Sequence, residues 1–134
     1  MPAAVRLIHP APAFAVTLLS AVLGAILLAQ EGRPIDGRWW LTVLAVAGSQ
    51  VFTGATNDLA DAARDDAAGR TEKPIPAGAM SQSLALWLAS VGLAVQVAAS
   101  GWLGALPLAL GLGAVASAAA YNLALSRTPF SPLP

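Results

Sequence analysis

The sequence predicts an all-α polytopic membrane protein of about four transmembrane helices, and three observations carry that prediction. Apolar residues make up 57% of the 134 residues and charged residues 10%, against about 25% charged in ordinary globular domains, and the mean hydropathy is +0.68. Nearly charge-free runs recur along the chain, each approaching the roughly 20 residues needed to cross a bilayer as a helix. Between them, turn-forming residues and charges are gathered into short stretches. The formal net charge is zero, so no bulk electrostatic attraction to nucleic acid is available. The chain holds no cysteine, which removes disulfide frameworks, thiolate catalysis and cysteine-based zinc sites together.

Residues 1–10 form a short polar lead carrying Arg6, with Pro10 and Pro12 suited to the first turn of a helix. The single histidine, His9, has no neighbours of its own kind for a metal site and reads as an interfacial residue at the entrance of that helix. The first span is expected at about residues 11–30. Its weak basic flank and the equally apolar runs that follow make it a retained span and not a cleavable signal peptide. Glu31, Gly32, Arg33, Pro34, Asp36, Gly37 and Arg38 make a loop. Trp39 and Trp40 then open the second span, about 39–60, where aromatic rings anchor a helix at headgroup level. Within it Gln50, Thr53, Asn57 and Asp61 recur at spacings of three and four, a polar stripe on an apolar helix. Polar groups at membrane depth face protein or a water-filled cavity, so Gln50 and Thr53 belong either to a hydrogen-bonded helix interface or to a cavity wall.

Residues 61–80 are expected as a motif loop, in which Gly69 ends the second helix and Pro74, Pro76 and Gly78 constrain the chain. Ser81 or Ser83 is placed to cap a third span at about 83–101, with Gln96 as its main polar interruption. A tight turn marked by Trp102 leads to a fourth span at about 105–125. Its Gly111, Gly113, Ala114 and Ser117 leave room for close helix approach, and Tyr121, Asn122 and Arg127 follow at its far end. With the N-terminus inside, Arg6, Arg64, Arg70, Lys73 and Arg127 are cytoplasmic and only Arg33 and Arg38 lie outside. That five-to-two split favours an N-in, C-in protein of the plasma (inner) membrane with the acidic motif on the cytoplasmic side.

The stretch that carries chemistry is residues 57–65, Asn-Asp-Leu-Ala-Asp-Ala-Ala-Arg-Asp, since four of the seven acidic residues lie between positions 58 and 66. If the second helix continues through it, about 100° of turn per residue puts Asn57, Asp58, Asp61 and Asp65 within one face, with Asp66 on the other side. Three like charges on one face repel unless a cation neutralises them. Mg²⁺ is the fitting class of ion, because it binds through one or two carboxylates, substrate phosphates and water. Asp58, Asp61 and Asp65 offer carboxylates and Asn57 a neutral oxygen, while Arg64, Arg70, Lys73 and Arg127 offer cations for phosphate oxygens. For any one of these residues a solvated helix end is explanation enough. It does not account for an Asn and three Asp on one face below a polar stripe.

In these residues the chain resembles the UbiA family of intramembrane aromatic prenyltransferases. The likeness rests on the aspartate-rich motif Asn-Asp-x-x-Asp-x-x-x-Asp at Asn57, Asp58, Asp61 and Asp65, on the Lys73-Pro74-Ile75-Pro76-Ala77-Gly78 loop, and on a fourth helix ending in Tyr121 before Arg127. The resemblance implies part of a larger helical bundle that moves a prenyl group from a prenyl diphosphate to a lipophilic, typically aromatic, acceptor within membrane lipid, with Mg²⁺ as cofactor. Asp61 and Asp65 would be catalytic, Asn57, Asp58, Asp61 and Asp65 would hold the metal, and Asn57, Arg64, Arg70, Lys73 and Arg127 the diphosphate. Gln50, Thr53 and Tyr121 would line the chamber.

Two departures from the family pattern set further expectations. The family has about nine spans and a second aspartate-rich motif, whereas this chain has four spans and no Asp or Glu after Glu72. Residues 1–134 are therefore expected to correspond to the N-terminal part of such a domain and to lack prenyl transfer alone. Ser126 also stands where many relatives carry a second basic residue beside the position of Arg127. Two rival readings follow from the same residues. One is a CDP-alcohol phosphotransferase, echoed by Ala62, Ala63 and Arg64, but Asp61 lacks the following glycine and no aspartates come after Gly69. The other is a small non-enzymatic membrane protein whose aspartates bind a cation or a partner.

Overall fold

The computed structural model describes residues 2–124, which form five helices and no strand. These are α1 (Ala3–Leu7), α2 (Pro10–Gln30), α3 (Gly37–Ala67), α4 (Gln82–Leu103) and α5 (Ala105–Leu123). Helices are the required answer in a bilayer, because they satisfy every backbone polar group within the segment. Among the described residues, α2, α4 and α5 are long and apolar enough to cross a membrane. The expected second span lies in α3, which is longer than any of them at 31 residues. Its polar stripe and acidic end dilute its hydropathy and keep it out of that group. The polar lead expected over residues 1–10 contains the one-turn helix α1, and the loop expected over 61–80 begins at Ala68, because α3 carries the whole motif.

Each boundary has a local cause. Asp36 caps α3, its Oδ1 accepting from the amides of Arg38 at 2.9 Å and Trp39 at 3.2 Å. Ser81 is the serine that caps α4, accepting from the Leu84 amide at 3.1 Å. Pro10 occupies the first turn of α2 as expected. Its cap position, His9, adopts a left-handed φ of 49° and gives its side chain to a different task.

Helix α3 is the axis of the fold, packing against α1, α2, α4 and α5. It meets α4 at Gly48 and Gly92, where a Cβ on either residue would lie 2.7 Å from the other's carbonyl oxygen. Small residues at that crossing let the two backbones touch. A Cβ at Gly54 would lie 2.8 Å from the Ile8 Cα, so the segment after α1 rests directly on α3. The apolar core there joins Leu7, Ala55, Met80, Ala85 and Ala89, with Phe52, Leu59 and Ile75 packed around it. By contrast α2 has no buried residue, and Phe14, Leu19, Leu23 and Leu27 are exposed along it. Such a surface suits lipid.

The helices run up and down, so the bundle has two distinct ends. At one, Arg38 Nη2 donates to the Leu103 carbonyl at 3.0 Å, tying the start of α3 to the end of α4. At the other, Arg6 Nη1 donates to the Glu72 carbonyl at 3.3 Å, tying α1 to the loop after α3. That second end holds the acidic motif.

Candidate functional site

The site is built on the last three turns of α3. Asp58 and Asp65 lie two turns apart and are both 2% exposed, and Asp61 between them is half-buried. What lets two carboxylates stay buried so close together is Lys73. Its Nζ lies 2.5 Å from Asp58 Oδ1 and 3.8 Å from Asp65 Oδ2, so one ammonium spans both acids. Arg70 adds a second cation to Asp65, Nη1 to Oδ1 at 3.3 Å, and Arg64 lies 3.4 Å from Asp61 Oδ1. Of the basic residues, Lys73 is drawn inward while Arg64 and Arg70 keep more than half of their side chains exposed.

The loop returns Lys73 by local chemistry. Gly69 at φ +67° ends the helix, and the Arg70 amide donates to the Asp65 carbonyl at 2.9 Å. The Lys73 amide then donates to the Arg70 carbonyl at 3.1 Å, and the Met80 amide to that of Pro74 at 3.1 Å. Buried Pro74 and Met80, with Ile75, anchor the loop in the core, and the chain reverses so that Lys73 faces the helix it has just left.

His9 is the residue that sequence reasoning set aside. Its Nε2 lies 3.1 Å from Asp58 Oδ1, opposite no other histidine but beside a buried carboxylate. Only its position just before Pro10 gave a signal, since a left-handed residue there turns the side chain back toward α3. Asn122 was noted only as the neighbour of Tyr121. It is 4% exposed, and its Nδ2 donates to the Thr53 carbonyl at 3.1 Å and to Thr56 Oγ1 at 3.0 Å, fastening α5 to the polar stripe.

The remaining expected residues are less concentrated. Asn57 is half-buried, one turn before Asp61. Gln50 and Thr53 are half-buried further along α3, and the Thr53 backbone belongs to the interface with α5. Tyr121 is 36% exposed beside Asn122. Arg127 lies outside the described residues. A cavity of about 540 Å³ between α2, α3, α4 and α5 opens at the opposite end, near Arg33, Asp36, Arg38 and Leu103, and does not include Asp58, Asp61 or Asp65.

Whether a metal ion fits this arrangement turns on the carboxylate oxygens that accept no hydrogen bond. Asp58 Oδ2 and Asp61 Oδ1 are such oxygens, both buried, three residues apart on one helix and hard anionic donors, with the Arg64 guanidinium 3.4 Å from the second. Among the described residues, no group of three or more acidic or histidine side chains is close enough to hold an ion by itself. The site therefore fits a Mg²⁺ ion that takes one or two carboxylates and completes its shell with phosphate and water. The arrangement of carboxylates and cations at one end of an apolar bundle is suited to gripping a diphosphate while leaving an attached hydrocarbon in the membrane.

Comparison with curated proteins and with solved structures yields no significant match. The model of the UbiA prenyltransferase family matches residues 17–133, the span that contains the acidic motif, the Lys73 loop and helices α3 to α5. The chain belongs to the UbiA prenyltransferase family.

Proposed function

We propose that this chain provides the diphosphate-binding part of an enzyme that transfers a prenyl group from a prenyl diphosphate to a lipophilic, aromatic acceptor in the membrane. The observation that supports it most is Lys73, held between buried Asp58 and Asp65, with Asp58 Oδ2 buried beside it without a hydrogen bond. Family membership makes prenyl transfer the expected chemistry.

In this reading Asp58, Asp61 and Asp65, with Asn57, would hold Mg²⁺, which when bound stabilises negative charge on the diphosphate. Lys73 changes partners, its flexible stem carrying the ammonium from the carboxylates to a phosphate oxygen. Arg70 and Arg64 neutralise outer oxygens, and Arg127 is proposed to join them. The bond between the allylic carbon and the diphosphate oxygen breaks, and its electron pair leaves with the diphosphate. The allylic cation is captured by a ring carbon of the acceptor, which then loses its proton. Gln50, Thr53 and Tyr121 are proposed to line the chamber where this occurs. The positive-inside bias supports a motif on the cytoplasmic face of the plasma membrane, and residues 1–134 are read as the N-terminal part of the catalytic bundle.

The test is Mg²⁺-dependent binding of a non-hydrolysable prenyl diphosphate to the purified chain, with Asp61→Asn and Asp65→Asn beside it. The expected result is binding that is abolished by chelation and weakened about tenfold or more by each substitution, the scale of one lost charge-assisted contact. Binding that survives both chelation and the substitutions would overturn the assignment. Equal Mg²⁺ binding with and without the diphosphate would favour a plain cation site.

A further inference from the structure

Lys73 is the single lysine of the chain, and its ammonium fills the space between two carboxylates proposed to hold the metal. Its Nζ lies 2.5 Å from Asp58 Oδ1 and 3.8 Å from Asp65 Oδ2, and the side chain is only 17% exposed. Asp58 Oδ1 also meets His9 Nε2 at 3.1 Å, so both lone-pair directions of that oxygen are taken. A Mg²⁺ ion approaches a carboxylate oxygen to about 2.0–2.1 Å and brings further ligands with it. On the free Oδ2 of the same carboxylate, a dication meets the ammonium across one carboxyl group, where like charges repel.

The charges at this end also balance. Asp58, Asp61 and Asp65 carry three negative charges, and Lys73, Arg70 and Arg64, each 3.8 Å or less from one of them, carry three positive ones. Asp66 and Glu72 are exposed, and Arg6 meets only the Glu72 carbonyl. The empty site therefore offers a dication little net negative charge. Arg64 and Arg70 each meet one carboxylate from the rim, with 56% of each side chain exposed, and exposed pairs hold weakly. Lys73 is the inner cation, on a flexible stem that can redirect its ammonium.

We propose that the Lys73 ammonium is a resident cation that holds the metal position in the empty site, so that a divalent ion enters only as Lys73 leaves, and a diphosphate is what draws it away. This rests on the reading of the aspartates as the metal site and adds an order to it: metal and diphosphate enter as a pair. The state with Lys73 on the carboxylates lowers the apparent metal affinity according to its population, and a diphosphate that takes the ammonium lifts that penalty. A divalent ion arriving without phosphate must push the ammonium into water.

The test uses Mn²⁺, which suits the same carboxylate and water ligands and is counted by electron paramagnetic resonance, on the full chain in detergent without diphosphate. Lys73→Met is expected to bind Mn²⁺ about tenfold or more tighter than wild type, and Arg64→Gln less than about threefold tighter, since an exposed pair guards little. Because Lys73→Met also removes a contact of the fold, the wild-type chain is read beside it. Its one lysine is acetylated across a Mg²⁺ series held at constant ionic strength with Na⁺, and the peptide containing it is quantified by mass. The expected result is acetylation that speeds up severalfold and saturably as Mg²⁺ replaces Na⁺. No tighter Mn²⁺ binding in folded Lys73→Met, an equal gain in Arg64→Gln, or acetylation indifferent to Mg²⁺ would each overturn the proposal. Failure of the diphosphate reading shows elsewhere, as a wild-type chain that does not bind geranyl diphosphate in Mg²⁺. A gain of Mn²⁺ affinity in Lys73→Met alongside that failure would keep Lys73 as the guard of a plain cation site and remove the diphosphate from the proposal.

Discussion

Lys73 decides the local energetics of the acidic end. Burying Asp58 and Asp65 two turns apart costs desolvation, and the single ammonium between them offsets it. Replacing Lys73 with methionine removes the one cation the two buried carboxylates share, leaving Asp58 with His9 and Asp65 with Arg70. We expect it to lower unfolding stability in detergent by about 2 kcal/mol, the scale of a lost hydrogen bond to a charged group, read from denaturant or thermal melts. Asp58→Asn in that background should recover part of the loss, because the group left behind no longer carries charge. If the two substitutions add independently, Lys73 does not hold Asp58 in the way the distance indicates. His9 acts on the same carboxylate from the opposite segment. Its replacement by alanine should weaken prenyl diphosphate binding less than Asp61→Asn does, since His9 orients an acid and is not itself assigned to the metal or phosphate.

At the scale of the element, α3 combines tasks that pull its composition in opposite directions. It must cross the bundle, touch every other helix and end in four acids. Its glycines make this possible by bringing α4 into backbone contact at Gly48 and Gly92. Gly48→Ala places a methyl 2.7 Å from the Gly92 oxygen, with backbone and not a flexible side chain in the way. We expect a loss of about 2 kcal/mol, as for other overpacked interiors, and a matching loss for Gly92→Ala. The N-cap is a gentler control. Asp36→Ala removes the acceptor for two amides at the start of α3 and should cost about 1 kcal/mol without altering diphosphate binding at the far end.

The whole molecule is a bundle with one end holding the acidic motif and Lys73 and one end bearing Trp39, Arg38 and a largely apolar cavity. The α1 segment belongs to the acidic end, since Leu7 is fully buried in the core there and Arg6 reaches the Glu72 carbonyl. Because the chain holds no cysteine, its orientation is directly measurable. A cysteine at Ala77 should react with a membrane-impermeant maleimide only in inside-out vesicles, and one at Ile35 only in right-side-out vesicles. Both positions are exposed. The reverse pattern would place the aspartates on the outer face and defeat the positive-inside argument. Deleting residues 2–9 should destabilise the loop around Lys73 more than it affects α5, a contrast that hydrogen exchange resolves.

Much of this was legible in the sequence because the bilayer restricts the choices. Runs of apolar residues long enough to span can only be helices, and α2, α4 and α5 fall within two residues of the expected bounds. The acidic motif was legible too, since a helical period places Asp58, Asp61 and Asp65 along one side before any contact is known. The sequence by itself determined the helical membrane class, the order of the elements and the acidic motif on one side of α3. Only the tertiary structure decided which partners they take. His9 and Asp58 are 49 residues apart and Asn122 and Thr53 are 69 apart, and no local rule links them. Those pairings arise when glycine crossings set the helix separations and a left-handed turn at His9 aims a side chain across the gap. Gln96 is of the same kind: periodicity marks a glutamine in an apolar span, but only the packed bundle shows it buried against Gly111 with its amide on Ser100.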